Sequence, residues 1–130
     1  DLVTLLSNLG NGDILFIDEI HRLSPVIEET LYPAMEDFKC DYVIGSVTSA
    51  RVMQISIEKF TLIGATTRWG LISRPLRDRF GIPLQLDFYN PDALKRIIKN
   101  NCLKCGYNID EEATLEIAHR ARGTPRIAIR

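Results

Sequence analysis

The sequence predicts an α/β domain that passes into an all-helical segment. Three observations carry this. Two short apolar runs, Ile14 to Ile17 and Phe60 to Ala65, show no alternation and end in acids or hydroxyls. Such runs read as strands buried on both faces of a parallel sheet. Helical spacing surrounds them, and after Tyr89-Asn90-Pro91 only helical spacing continues.

The elements follow in order. Apolar residues at 2, 3, 5, 6 and 9 predict a first helix, stopped by Gly10-Asn11-Gly12. The first strand is Ile14 to Ile17. Ser24-Pro25 is a cap with proline at the first helical position, opening a helix through Met35 that Pro33 is expected to kink or shorten. Residues 42–57 read as a β-hairpin around Gly45, and Phe60 to Ala65 as the second buried strand. A short helix is expected at 75–80 and an alternating strand at Leu84 to Phe88. Helices at 92–104 and 110–121 follow, and another begins after Gly123-Thr124-Pro125. The α/β part is expected to span 1–89 and the helical part 90–130.

The chain has 130 residues, 45% of them hydrophobic, enough for a soluble core. Sixteen basic residues against seventeen acidic ones announce neither nucleic acid nor a cationic partner. No apolar run approaches the roughly 20 residues needed to span a bilayer. Three cysteines argue against a disulfide framework and suit a reducing cytoplasm. The chain opens at Asp1 without a methionine and closes at Arg130 within a helical run, so both ends are expected to be cuts.

Four constellations carry chemistry. Asp18-Glu19 ends a buried strand, at the sheet edge where ligands of open α/β folds bind. One acid there can hold Mg²⁺ and the other can orient or deprotonate a water. The plain alternative is a strand emerging into solvent, with His21 as a packing histidine. Thr66-Thr67-Arg68 ends the second strand, where a hydroxyl can reach a phosphate or simply cap a turn. Arg77-Asp78-Arg79 offers guanidinium forks suited to phosphate, or is a solvated charged turn. Arg126 sits in the first turn of a helix capped by Thr124, against the dipole, which suits holding phosphate, although taken alone a plain cap with a solvent-facing arginine is the favoured reading.

Together these stretches, 14–21, 61–68, 74–81 and 123–126, follow the Walker B, sensor 1, arginine-finger and sensor 2 order of AAA+ ATPases. With Leu15-Phe16-Ile17-Asp18-Glu19-Ile20-His21-Arg22-Leu23, Leu31-Tyr32-Pro33-Ala34-Met35-Glu36-Asp37-Phe38 and Pro75-Leu76-Arg77-Asp78-Arg79-Phe80-Gly81-Ile82, the chain resembles the RuvB family along nearly its whole length. These are bacterial Holliday-junction branch-migration motors. The resemblance implies a partial AAA+ P-loop NTPase core, from Walker B to the last strand, followed by the start of a helical lid domain.

It also implies roles. Asp18 would hold the Mg²⁺ of bound ATP through water, and Glu19 would activate the attacking water. Thr67 would read the γ-phosphate. Arg79 would reach the ATP of the adjacent subunit, with Arg77 the weaker candidate. Arg126 would be sensor 2, Tyr89 would contact nucleotide, and Glu36-Asp37-Phe38 would approach nucleotide across the subunit interface. The hairpin at 42–57 would engage a RuvA-like partner, or would pack on its own domain as an edge ribbon. The parent would form a ring, expected to be a hexamer, act on duplex DNA at a junction through a domain outside this chain, and be cytoplasmic. Arg74 and Trp69 stand where the family usually has small residues, and neither is expected to abolish hydrolysis. Cys102 and Cys105 have metal-like spacing, but a zinc site needs further ligands. The alternatives are another AAA+ enzyme, such as a clamp-loader subunit, or a non-hydrolytic assembly module.

No Gly-x-x-x-x-Gly-Lys-Ser/Thr occurs in the 130 residues. In the family that loop lies upstream of Asp1, so the resemblance implies that the backbone cradle and lysine for the β- and γ-phosphates lie there. The resemblance also implies that the strand preceding that loop lies between those at 61–66 and 84–88, so the isolated chain is expected to be marginally stable. Titration calorimetry of the isolated chain is expected to show ATP bound weakly or not at all. Micromolar affinity would overturn that.

Overall fold

A computed structural model describes residues 2–44 and 51–130. The chain divides into two compact units, Asp1–Pro83 and Leu84–Arg130. The first carries α1 (Leu2–Ser7), β1 (Ile14–Ile17), α2 (Pro25–Glu36), β2 (Lys39–Ile44), β3 (Arg51–Ser56), β4 (Thr61–Gly64) and α3 (Arg74–Arg79), with 3-10 turns at Ile20–Arg22 and Trp69–Leu71. The second carries α4 (Pro91–Lys104), α5 (Glu111–Arg120) and α6 (Pro125–Ala128).

β1 and β4 pair in parallel, with Ile14 opposite Thr61 and Ile17 opposite Gly64. The ladder continues past both strands. Ala65 N donates to Ile17 O at 2.9 Å, and Ile20 N donates to Ala65 O at 2.9 Å. Leu15 packs with Leu6, Ala34, Cys40 and Ile57, whereas Ile17 packs with Ile20, Ile72 and Leu76. The expectation of strands buried on both faces is corrected here. Ile14 is 63% exposed and Phe16 59% exposed. Among the described residues this sheet has only two strands, and the core clusters cover the face of Leu15 and Ile17.

A second correction concerns Leu84 to Phe88. No strand forms there, and Leu84, Leu86 and Phe88 are all exposed, Leu86 by 94%. Alternation yields a strand only where another strand supplies the ladder. Among the described residues no strand pairs with it. The expected shortening of α2 at Pro33 does not occur either. The helix runs three residues further, to Glu36, and Asp37 N donates to Pro33 O at 2.9 Å. The missing Pro33 N–H costs one helical bond, while burial of Leu31 and Ala34 holds the last turn in place.

The expected hairpin is present as antiparallel β2 and β3, from Lys39 opposite Ser56 to Ile44 opposite Arg51. Residues 45–50, which include Gly45, lie outside the described residues. Ser73, Asn90 and Asp110 cap α3, α4 and α5 with side-chain oxygens. Ser24 and Thr124 occupy cap positions without a side-chain cap bond.

In the second unit Leu94 and Ile98 of α4 pack on Ala118 and Ala121. Leu94 is fully buried. Leu94→Ala is expected to destabilise this unit by about 3 kcal/mol. Urea unfolding followed by helical circular dichroism measures it, and a loss under about 1 kcal/mol would contradict this core.

Candidate functional site

Parallel pairing in register brings the ends of β1 and β4 to one edge. Asp18-Glu19 leave the first strand there, and Thr66-Thr67 leave the second. The Glu19 carboxylate accepts from the Thr67 backbone N–H at 3.3 Å and from the Thr67 hydroxyl at 3.0 Å. The Thr67 N–H, above all, holds the Glu19 carboxyl below its ordinary pKa, with lesser help from the Thr67 hydroxyl and the charges of His21 and Arg22, against partial desolvation. Glu19 itself adopts φ 49°, ψ 45°, a left-handed conformation that costs a non-glycine residue about 1–2 kcal/mol. Residues strained in this way cluster at functional sites.

His21 is the residue that sequence reading undervalued. Its side chain is only 7% exposed. Nδ1 lies 3.2 Å from Glu19 Oε2 and 2.8 Å from Thr66 Oγ1. A carboxylate only accepts, so the proton belongs on Nδ1, facing both oxygens. Arg68 N donates to Thr66 Oγ1 at 3.0 Å. The two strand exits are therefore stitched by Glu19–Thr67 and by His21–Thr66. Gly64 permits this approach. A Cβ there would meet Ile20 Cδ1 at 2.9 Å and Phe80 Cζ at 3.1 Å.

Asp18 is exposed, and its Oδ1 accepts from Glu19 N at 2.9 Å. Its other oxygen is open to a hard cation. Among the described residues no group of three or more His, Cys, Asp or Glu could hold a metal. One carboxylate in place of a full cage fits Mg²⁺, which keeps its waters and takes phosphate oxygens.

The arginines lie on α3. Arg79 Nε is 3.0 Å from Glu36 Oε1, an ion pair not aligned as a hydrogen bond. Arg79 Nη1 donates to Pro75 O at 2.8 Å, and its guanidinium carbon lies 4.2 Å from the centre of the Tyr32 ring. Arg77 Nε is buried without a hydrogen-bond partner. Arg79 also lines a cleft of about 260 Å³ with Phe38, Thr61, Leu62 and Phe80. Thus Glu36, Phe38 and Arg79 are brought together, while Asp37 caps the end of α2. Phe38 takes φ 53°, an outlier for so bulky a residue.

In the second unit Tyr89 N donates to Gly123 O at 2.9 Å. Tyr89, Leu94, His119 and Arg122 line a cavity of about 280 Å³. Gly123 has φ 79°, and a Cβ there would lie 2.6 Å from Phe88 Cβ. Arg126 is exposed in the four-residue α6. Cys102 packs beside the helical core and Cys105 is exposed, whereas burial pushes the Cys40 thiol pKa up.

Two family models match the chain. One describes the Holliday junction DNA helicase RuvB P-loop domain and matches residues 1–86. The other describes the RuvB AAA lid domain and matches residues 89–130. The chain is 62% identical over its whole length to the Holliday junction branch migration complex subunit RuvB of a Nitratiruptor species, and 58% identical to that of Campylobacter jejuni. It spans 39% of the length of each. The solved Thermotoga maritima RuvB Holliday junction branch migration motor is 50% identical, with a TM-score of 0.82, over 99% of this chain and 38% of that one. A point mutant of the same protein gives a TM-score of 0.87 at 50% identity, over 99% of this chain and 39% of its own.

The lowered Glu19 pKa sets a sign. Stability from this contact is present above the unfolded glutamate pKa and is lost as pH falls through the lower folded value. Carboxyl-detected NMR titration is expected to place the Glu19 midpoint below that of an unperturbed glutamate. Thr67→Val is expected to raise it only in part, because the backbone N–H remains. A wild-type midpoint at or above the ordinary value would contradict this geometry.

Proposed function

The chain belongs to the RuvB family, and we propose that its parent is a motor subunit that couples ATP hydrolysis to Holliday-junction branch migration. The observation that carries this is the hydrogen-bonded meeting of Glu19 and Thr67 where β1 and β4 end. The relatives described above are all RuvB proteins, so the clamp-loader reading is set aside.

Asp18 would hold the Mg²⁺ of bound ATP. That ion, when bound, neutralises phosphate charge. Glu19 accepts the proton of the attacking water. A glutamate whose pKa is not raised is ionised at neutral pH and can orient that water. Thr67 hydrogen-bonds the γ-phosphate, and Arg126 and Tyr89 contact nucleotide from the lid. A non-hydrolytic module has no need for this set of acid, hydroxyl and arginine.

Arg79 acts on a neighbouring subunit's ATP, with Arg77 beside it and Glu36-Asp37-Phe38 at the same interface. Two placements support this. Arg79 lines a cleft with Thr61 and Leu62, which begin β4, while Glu19 is bonded to Thr67 beyond its other end. The strand between spans about 10 Å. An arginine anchored at Glu36 and Pro75 is poorly placed to serve Glu19 of its own chain. A neighbouring subunit follows from that division of labour, and resemblance to the family makes the assembly a ring, expected to be a hexamer.

The β2–β3 ribbon docks a RuvA-type partner, supported by exposed Tyr42, Val52 and Met53. Duplex DNA is held by a further domain of the parent, which works in the cytoplasm. Among the described residues no helix is long and apolar enough to cross a membrane.

Glu19→Gln in the full-length parent is expected to lower ATP turnover at least about 100-fold while leaving nucleotide binding within a few-fold. Unchanged turnover would sink the assignment. Junction-unwinding assays with and without the RuvA-type partner test the motor reading. Turnover that never drives unwinding would count against it.

A further inference from the structure

Glu28, Tyr32 and Glu36 follow one another at four-residue spacing and so share a face of α2. Glu28 is only 8% exposed, and no role above uses it. Its carboxylate accepts from the Ser73 hydroxyl and from the Tyr32 hydroxyl, the latter at 3.1 Å. Ser73 in turn caps α3, accepting from Leu76 N at 3.3 Å. One turn on, the Tyr32 ring carries the Arg79 guanidinium at 4.2 Å. One turn further, Glu36 meets Arg79 Nε. A single face of α2 thus holds both ends of the six-residue helix that bears the finger.

We propose that Tyr32 is a positioning residue for Arg79 through its ring face, with Glu28 and Ser73 fixing the start of α3. The inference rests on the finger reading above. Stacking on the face of a guanidinium leaves its N–H groups in the plane available for a planar or anionic ligand. Glu36 and Pro75 O hold Nε and Nη1, so among the described residues Nη2 is the edge that takes none of these contacts. The ring holds the long arginine side chain in one orientation before the neighbouring subunit arrives. Displacement of a group by about 1 Å can cost about 100-fold in rate, so the ring is expected to matter for turnover more than for nucleotide affinity.

The test uses full-length rings. Tyr32→Leu is expected to lower kcat by about 10- to 100-fold while KM for ATP stays within about 3-fold. Tyr32→Phe, which keeps the ring face, is expected to stay within about 2-fold of the parent. Phenylalanines with increasing fluorine substitution at position 32 keep the volume and weaken the ring face, so kcat is expected to fall stepwise. That series decides the matter if Tyr32→Leu does not fold. Complementation separates positioning from simple damage. Mixed with Glu19→Gln subunits, which lack hydrolysis but keep their fingers, Tyr32→Leu subunits are expected to regain about 10-fold in turnover per subunit. Absence of that gain, a flat fluorine series, or Tyr32→Phe falling as far as Tyr32→Leu overturns the proposal. Arg79→Ala in the same mixture tests the premise. If Arg79→Ala is not rescued, the finger reading fails and this inference with it. If Arg79→Ala is rescued and Tyr32→Leu is not, the positioning role alone fails.

Discussion

The parallel pairing of β1 with β4 is the contact on which the rest of the first unit depends. It joins residues 47 positions apart in sequence and does so in strict register. A one-residue slip would turn every side chain of a strand to the opposite face. Here it would expose Leu15 and Ile17, which the two core clusters hold, and carry Asp18-Glu19 away from Thr66-Thr67. The packing of Leu15 and Ile17 thus sets the chemistry at the strand ends. The left-handed turn at Glu19 is the local strain of this arrangement, and the bonds from Thr67 and the approach of His21 offset it.

Much of this was legible in the sequence, for identifiable reasons. β1 and β4 showed as apolar runs, and α4 and α5 showed through spacing; that Asn90 and Asp110 cap them came from the structure. These features are local. Where the reading failed, the deciding information was not local. The alternation of Leu84, Leu86 and Phe88 is a real strand pattern, but a strand also needs a partner to complete its ladder. Burial on both faces was inferred from apolar runs that describe a strand's preference and not what covers it. Pro33 argued for a kink or a shortening, and tertiary packing carried the helix past it to Glu36.

The acids, Thr67 and Arg79 could be found from motif order. Their partnerships could not. His21 stood in plain view between Glu19 and Arg22, yet its value comes from Thr66, 45 residues away. Glu28, Tyr32 and Glu36 did carry a local signal, the four-residue spacing. That spacing shows only that three side chains share a face, and α3 had to be placed before the face acquired a purpose. This is the general limit of reading sites from one sequence: a helix face is local, and what it faces is not.

The hydrogen bonds at the strand ends also constrain how the site can work. Thr67 has one backbone N–H and one hydroxyl, and Glu19 now accepts from both. On the proposed reading the same hydroxyl bonds a phosphate and the same carboxylate orients a water. A hydroxyl has a single proton to donate, so it cannot serve two anions at once. The Thr67 hydroxyl must therefore release Glu19 when it turns to phosphate. Glu19 then loses one of the contacts that depress its pKa, which makes it a better base. His21, packed against both strand exits, remains to hold Glu19 close to the edge. On that reading a Glu19–Thr67 hydroxyl bond and a Thr67–phosphate bond exclude one another, and exchange between them would join phosphate recognition to water activation.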